Sequence, residues 1–272
     1  MHDEKMPIEA AVAALRARFG EAPRLAIVLG SGLGAVSDRL VDAQSAPYES
    51  VGLPGAGITG HKGVIHVGRL GGVRAAIMAG RVHMYEGHPP SRVVRAVRAL
   101  HAWGVKRLLL TCSVGGLREN LTAGDLVCVS DHINLQGLHP LIGPAWGTRF
   151  PDMSAAYDSE MRAVLTREAA KLDIELHHGI LTAMSGPSYE TPAEVRMLAA
   201  LGGDVVSMST APEVLAAREV ELRVAAIAVV ANPGAGLHTR PLTHDEVTEA
   251  AQHASVSLGE LLSGAARALL EA

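Results

Sequence analysis

Apolar positions recur along this chain with two different spacings. From Pro7 to Phe19 they fall three and four apart, with proline in the first turn and Gly20 just past the end, which predicts a helix. "RLAIVL" (24–29) is a short unbroken apolar run entering a glycine-rich turn and reads as a buried strand. "VIHVGRL" and "VRAAIMA" flank Gly71-Gly72, a hairpin signal. "PSRVVRAVRALHAW" (90–103) predicts one amphipathic helix, with Val93, Val94, Val97 and Leu100 on one side. Arg92, Arg95 and Arg98 form a stripe on the other side, read as a solvated face in preference to a docking patch.

The second half alternates regularly. Strands are expected at 107–112, at "DLVCVSDHI", at "ELHHGILTAMSG", at 204–208 and at 222–231. Helices are expected at 158–172, 192–200, 211–220 and from His244 to the region of Leu270. Between them, 136–157 is a long turn-rich excursion, and loops of that length are usually functional. No repeat or linker divides the chain, so residues 1–272 are expected to form a single α/β domain. Its central β-sheet is expected to be mixed, because of the hairpin, and flanked by helices. The polar residues gather after the C-terminal ends of strands, where open α/β sheets hold ligands.

The 272 residues are enough to bury a sizeable core. With 48% hydrophobic but only 3% aromatic residues, that core must be built from Ala, Val, Leu and Ile. A net charge of -4 supplies no basic field for nucleic acid or anionic membranes. The two cysteines, Cys112 and Cys128, form neither a disulfide framework nor a zinc pattern, which suits a reduced, cytoplasmic protein. The start, "MHDEKMPIEA", has no signal-peptide core, and the longest apolar run, "VAAIAVVA" (224–231), is far short of the roughly 20 residues a membrane span needs.

Several segments carry candidate chemistry. In "VLGSGLGA" (28–35), Gly30, Gly32 and Ala35 match a dinucleotide fingerprint, but no later strand ends in an acidic residue at the required distance. The alternatives are a structural turn and, the preferred reading, an anion site built from backbone N–H groups and the Ser31 hydroxyl. In "AGRVHMYEGH" (79–88), extended alternation puts Arg81, His83 and Tyr85 on one face, with Val82, Met84 and Glu86 on the other. Arginine and histidine together suit an oxyanion. A metal reading would use His83, Glu86 and His88, whose spacing matches no metal motif, and a bland surface loop is the remaining alternative.

In "GPSYETPAEV" (186–195), Glu190 could accept two N–H bonds from a planar ligand beside the apolar face of Tyr189. Equally, it could be the acidic residue of a helix start at Thr191-Pro192. In "VVSMSTAPEV" (205–214), Ser209 and Thr210 precede a helix start at Pro212, with Thr210 as a possible cap and Met208 read as core. Asn232 ends an apolar strand and His244 heads the last helix, neither unusual alone. There is no GxSxG nucleophile elbow and no P-loop.

Taken together, "VLGSGLG", "GRVHMYEGH", "VSDHINL", "RFPDMSAAYD", "GPSYETPAEV", "MSTAPEV" and "LTHDEV", in this order over nearly the whole chain, resemble the trimeric purine nucleoside phosphorylases. The resemblance implies a homotrimer that reversibly phosphorolyses purine nucleosides, inosine and guanosine among them. Inorganic phosphate would be the co-substrate, with no metal or organic cofactor. It implies that Ser31, Arg81, His83, Ser209 and the Ser113 N–H hold phosphate, with His61 close by. Tyr85 and Met208 would pack on ribose, and His244 would bond its 5′-hydroxyl. Phe150 would reach into a neighbour's site, and Tyr189, Glu190 and Asn232 would hold the base. His83, Glu190 and Asn232 are then the residues closest to the chemistry, with Glu86 orienting the cluster around Arg81.

This chain departs from that pattern twice. "TCSVGG" stands where the family has "TNAAGG", and Ala231 stands where a threonine precedes the asparagine. Ser113 keeps the backbone N–H; losing the threonine hydroxyl bears on efficiency and on the strictness of base choice. The alternative activity is phosphorolysis of 5′-methylthio-nucleosides, whose enzymes typically have Asp at the Asn232 position. A polar His244 at the 5′ end argues against it. A non-catalytic purine sensor and a nucleotide-dependent dehydrogenase are the readings from other classes.

Overall fold

The computed structural model describes residues 4–55, 57, 62–237 and 244–272, without the side chains of 244–249 and 251. Helix α1 (Lys5–Phe19) buries Ile8, Ala11, Val12, Leu15 and Phe19, the helical spacing seen in the sequence, and Gly20 closes it at φ +73°. Strand β1 (Leu25–Val28) is wholly buried and leads through a glycine turn into a 3-10 segment, Gly34–Arg39. The strands β2 (Val41–Pro47), β3 (Val64–Leu70) and β4 (Val73–Ala79) follow. β3 and β4 form the expected hairpin, Leu70 pairing with Val73. Both turn glycines have positive φ, 55° and 81°, as two-residue hairpin turns of the primed type require.

The predicted helix at 90–103 is two: α2 (Pro90–Val93) and α3 (Arg95–Trp103), broken at Val94, where ψ is 3°. The chain continues through β5 (Arg107–Gly116), β6 (Leu126–Asn134), α4 (Ser159–Lys171), β7 (Leu176–Ala183), α5 (Pro192–Ala200), β8 (Val205–Ser207), α6 (Ala211–Glu219), β9 (Arg223–Pro233) and α7 (His244–Glu271). Residues 135–158 contain no helix or strand, as the long excursion anticipated. β2 was not anticipated: six of its seven residues are exposed, so no apolar period marks it. It forms the polar edge of the sheet, antiparallel to β3.

The nine strands among the described residues form one mixed sheet, ordered β2-β3-β4-β1-β5-β8-β7-β6-β9. β9 also pairs with β5, in parallel, so the end of the sheet carrying β5 to β9 closes on itself. This closure goes beyond the open sheet that the alternation suggested. Both faces are covered. Ala26, Val28, Leu108 and Leu110 pack with α1, α3 and α6 on one side; Leu25, Ile27 and Leu109 pack with α4 and α7 on the other. That is why the central strands read as continuous apolar runs. Leu258, Leu261, Leu262 and Leu269 of α7 are fully buried, each worth about 1.5–3 kcal/mol of transfer free energy.

The arginine stripe is not a solvated face. Arg98 is 3% exposed and donates to Glu219 at 2.7 Å, and Arg95 donates to Glu4 at 3.1 Å. The Arg98–Glu219 pair also secures the excursion. Arg98 donates to the Pro140 carbonyl, and Glu219 accepts the Trp146 N–H at 3.0 Å. No helix among the described residues is long and apolar enough to cross a membrane.

Candidate active site

One pocket collects residues from the ends of β1, β4, β5, β8 and β9 and from the turn before α5. β1, β4, β5 and β9 are mutually parallel along this part of the sheet, so their C-terminal ends lie together. β8 runs antiparallel to β5 and brings its own C-terminal end to the same place. Ser31, Arg81, His83, Tyr85, Ser113, Tyr189, Glu190, Met208, Ser209 and Asn232 all line this pocket. Met208, read from sequence as core, is therefore a pocket residue.

The glycine turn lies against the middle of β5. A Cβ on Gly30 would stand 2.8 Å from the Cys112 Cα, so only glycine permits this approach. The Gly30 N–H donates to Thr111 Oγ1 at 3.1 Å, and that hydroxyl donates on to the Val28 carbonyl. The Ser113 hydroxyl donates to the Ser31 carbonyl at 2.7 Å. β5 extends four residues beyond the predicted strand, and this extension puts Ser113 and Gly115 on the pocket wall.

Arg81 is 6% exposed. Its Nε donates to Glu213 at 3.1 Å and its Nη1 to the Thr111 carbonyl at 2.6 Å. The segment beyond it is extended only as far as His83; Met84–Glu86 then turns as a 3-10 segment. The simple alternation of faces therefore stops at His83, and Glu86 folds back under it. Glu86 accepts the His83 N–H at 2.6 Å and lies 3.3 Å from His83 Nδ1. Facing an ionised carboxylate, which only accepts, the tautomer that fits this contact carries its proton on Nδ1. Glu86 also accepts the Gly57 N–H, which leaves little of its carboxylate for the metal reading. Among the described residues no group of His, Cys, Asp and Glu is arranged to hold a metal ion.

The Tyr85 ring stacks on His83 at 4.7 Å. Burial, reinforced by the Glu86 charge, pushes its hydroxyl up to about 12, so it stays a neutral donor. Burial likewise raises the Glu190 carboxyl above the ordinary glutamate value. The helix-start reading of Glu190 gives way, because α5 is capped by Thr191 and Glu194 in a capping box.

Asn232 owes its placement to a bulge. Val114 pairs with Val230 but Gly115 pairs with Asn232, so Ala231 is an extra residue in β9. The Asn232 Nδ2 donates to the Pro233 carbonyl at 2.8 Å, which leaves one N–H and the Oδ1 acceptor for a ligand.

Thr210 follows Ser209 with φ 74° and ψ −55°, and the Ala211 N–H donates to the Ser209 carbonyl at 2.9 Å. This is a γ-turn of the strained kind, unusual for a β-branched residue.

Three expected residues remain. His61 and the His244 side chain lie outside the described residues. Phe150 is 85% exposed and does not line the pocket of its own chain. Sequence reasoning missed Thr111, Glu213 and Gln136. Gln136 donates to the carbonyls of Met184 and Met208 and so ties the Met208 segment to the end of β7. Thr111 is hidden inside an apolar run, and Glu213 looks like an ordinary helix-cap glutamate; only "SDHINLQG" hinted at Gln136, by its polarity.

Comparison with known proteins identifies the family. Residues 24–267 match the family model described as "Phosphorylase superfamily". Purine nucleoside phosphorylase 1 of Bacillus subtilis (strain 168) is 43% identical over 246 residues, covering 89% of this chain and 91% of that protein. The crystal structure of Schistosoma mansoni purine nucleoside phosphorylase in complex with adenosine superposes with a TM-score of 0.89 at 33% identity, covering 96% of each chain. The inosine complex of the Schistosoma mansoni enzyme superposes with a TM-score of 0.87 at 32% identity, covering 98% of this chain and 96% of that one. With a pocket that joins an arginine–histidine cluster to a carboxylate and an amide, and with relatives of this identity along nearly its whole length, the chain belongs to the phosphorylase superfamily and, within it, to the purine nucleoside phosphorylases.

Proposed function

We propose that this chain is a pentosyltransferase that reversibly cleaves purine ribonucleosides and deoxyribonucleosides with inorganic phosphate, giving the free base and (deoxy)ribose 1-phosphate. Inosine and guanosine are the preferred substrates. One observation carries the reading: residues suited to an oxyanion and residues suited to a purine edge line the same pocket. The relatives named as purine nucleoside phosphorylases, one of them solved with inosine, support it.

Phosphate takes donors from Arg81, Ser31, Ser209 and the Ser113 N–H. His83, its Nδ1 proton committed to Glu86, can accept from a phosphate hydroxyl through Nε2. His61 joins this set. Tyr85 and Met208 pack on the ribose, with His244 at the 5′-hydroxyl. Tyr189 covers the purine, and Glu190 accepts from N1–H and, in guanine, from the 2-amino group. Asn232 accepts from N7–H through Oδ1 and donates to O6 with its remaining N–H.

A phosphate oxygen bonds to C1′ as the C1′–N9 bond breaks; the electron pair of that bond leaves with the purine, which takes up a proton at N7 from solvent as the phosphate hydroxyl gives up its own. The sugar carries positive charge and the base negative charge in the transition state. The pocket acts by positioning and by preorganised charge, which together supply most of the rate in such reactions. Residues 1–272 work as one unit. The active assembly is a homotrimer in the cytoplasm, each Phe150 covering the ribose of a neighbour. No nucleic acid or membrane partner is involved.

The test is purine release from inosine and guanosine, with and without phosphate. Release should require phosphate, or arsenate as its mimic, and should yield one sugar 1-phosphate per base. Equal rates in phosphate-free buffer would refute the assignment.

A further inference from the structure

Glu213 has no role in the chemistry assigned above. It occupies the third position of α6, where a capping-box glutamate normally reaches back to the cap N–H with one oxygen and leaves the other in water. Here the side chain is 6% exposed and both oxygens are engaged. Oε2 accepts the Thr210 N–H at 3.2 Å. Oε1 accepts from Arg81 Nε at 3.1 Å, across 132 residues of sequence.

Each bond holds a part of the pocket that could otherwise move. The Arg81 guanidinium is fixed along two edges, by Glu213 at Nε and by the Thr111 carbonyl at Nη1, so its plane is set. Thr210 is the centre of the strained γ-turn between Ser209 and α6, and Glu213 binds the N–H at that centre. Arg81 leaves β4 and Ser209 leaves β8, two strands that are not neighbours in the sheet. A single buried carboxylate ties them together.

We propose that Glu213 is a positioning residue for phosphorolysis: it sets the Arg81 guanidinium and the Ser209 turn in register, so that phosphate meets both at once. The proposal rests on Arg81 as a phosphate ligand, and the experiment separates the two ideas. Glutamine at this site keeps one acceptor and loses the other, so either Arg81 or Thr210 is released. Methionine at position 81 removes the guanidinium and lets a glutamine at 213 serve Thr210 alone.

The kcat and both KM values are measured for wild type, Glu213→Gln, Arg81→Met and the double variant. Glu213→Gln should lower kcat by about 10- to 100-fold, the cost of a misplaced catalytic group, and leave the inosine KM within about 3-fold. On the Arg81→Met background the same change should cost no more than about 3-fold in kcat/KM, because residues that act through one another do not add. A residue that merely supported the fold would cost as much on either background. Arg81→Met leaves a carboxylate that can take up a proton, whereas an unpaired buried arginine cannot give one up; if Glu213→Gln therefore fails to fold, the double variant buries no unpaired charge, and its comparison with Arg81→Met still decides. A further loss of about 10-fold or more on that background, or a folded Glu213→Gln with wild-type kcat, overturns the proposal. Arg81→Met with wild-type phosphate KM and kcat would instead overturn the role given to Arg81, and this inference with it.

Discussion

The Ser113 hydroxyl donates to the Ser31 carbonyl at 2.7 Å, tying the first glycine turn to the strand beside it. The tie uses the Ser113 hydroxyl and the Ser31 carbonyl, neither of which is among the groups proposed to hold phosphate. Where the family pattern has alanine, this chain therefore has an additional clamp on its phosphate turn. Ser113→Ala should raise the phosphate KM by about 2- to 10-fold, the worth of one neutral hydrogen bond, and leave the inosine KM unchanged. Steady-state kinetics with each substrate varied in turn check this. A rise confined to inosine would contradict it.

The raised Glu190 carboxyl predicts a pH dependence. Burial disfavours its ionised form, so its titration lies above the ordinary glutamate value of about 4.3. Only the ionised form accepts at both oxygens. As pH falls through the raised value, Glu190 takes up a proton and guanosine loses an acceptor. The kcat/KM for guanosine should therefore fall on the acid side, and Glu190→Gln should remove that limb while lowering the rate overall. Wild type and variant compared at each pH cancel the titration of phosphate itself. Acid limbs of the same shape in both would count against the role of Glu190.

Phe150 is 85% exposed beside Arg149, in an excursion whose base is secured by the Arg98–Glu219 pair. An exposed aromatic on a secured loop fits a surface completed by another copy of the chain. Phe150→Ala should raise the inosine KM by about 10-fold or more, the loss of a buried aromatic contact, with little change for phosphate. Sizing chromatography with simultaneous assay should find activity only in the oligomer. A fully active monomer would contradict the shared site.

Much of this architecture is legible from periodicity, and the exceptions have physical causes. β1, β5 and β9 are buried on both faces, so they stand out as unbroken apolar runs. β2 is a polar edge whose ladder needs no apolar side chains, so no pattern marks it. Arg81, His83 and Tyr85 were legible because so much hydrogen-bonding chemistry follows directly on a buried strand. Glu213 and Thr111 were not, since each also fits an ordinary structural role: one caps a helix and the other sits inside an apolar strand. The bulge at Ala231 is invisible in sequence because it depends on register against β5.

The most direct measurement is kcat/KM for inosine, guanosine and adenosine on wild type and Asn232→Asp. Glu190 accepts, and Asn232, with one N–H already given to Pro233, has one donor and one acceptor left. Inosine and guanosine match both residues through N1–H, O6 and N7. Adenosine has no hydrogen on N1 and a donor at position 6, so two polar groups are mismatched. Each costs about 1–3 kcal/mol, which predicts discrimination of about 10²- to 10⁴-fold in favour of the 6-oxopurines. Ala231 supplies no hydroxyl beside Asn232, which places the expected value in the lower half of that range. Asn232→Asp should narrow the gap, because a carboxylate accepts from both N7–H and a 6-amino group. Equal wild-type values for inosine and adenosine would contradict the roles of Glu190 and Asn232 and, with them, the reading of this pocket.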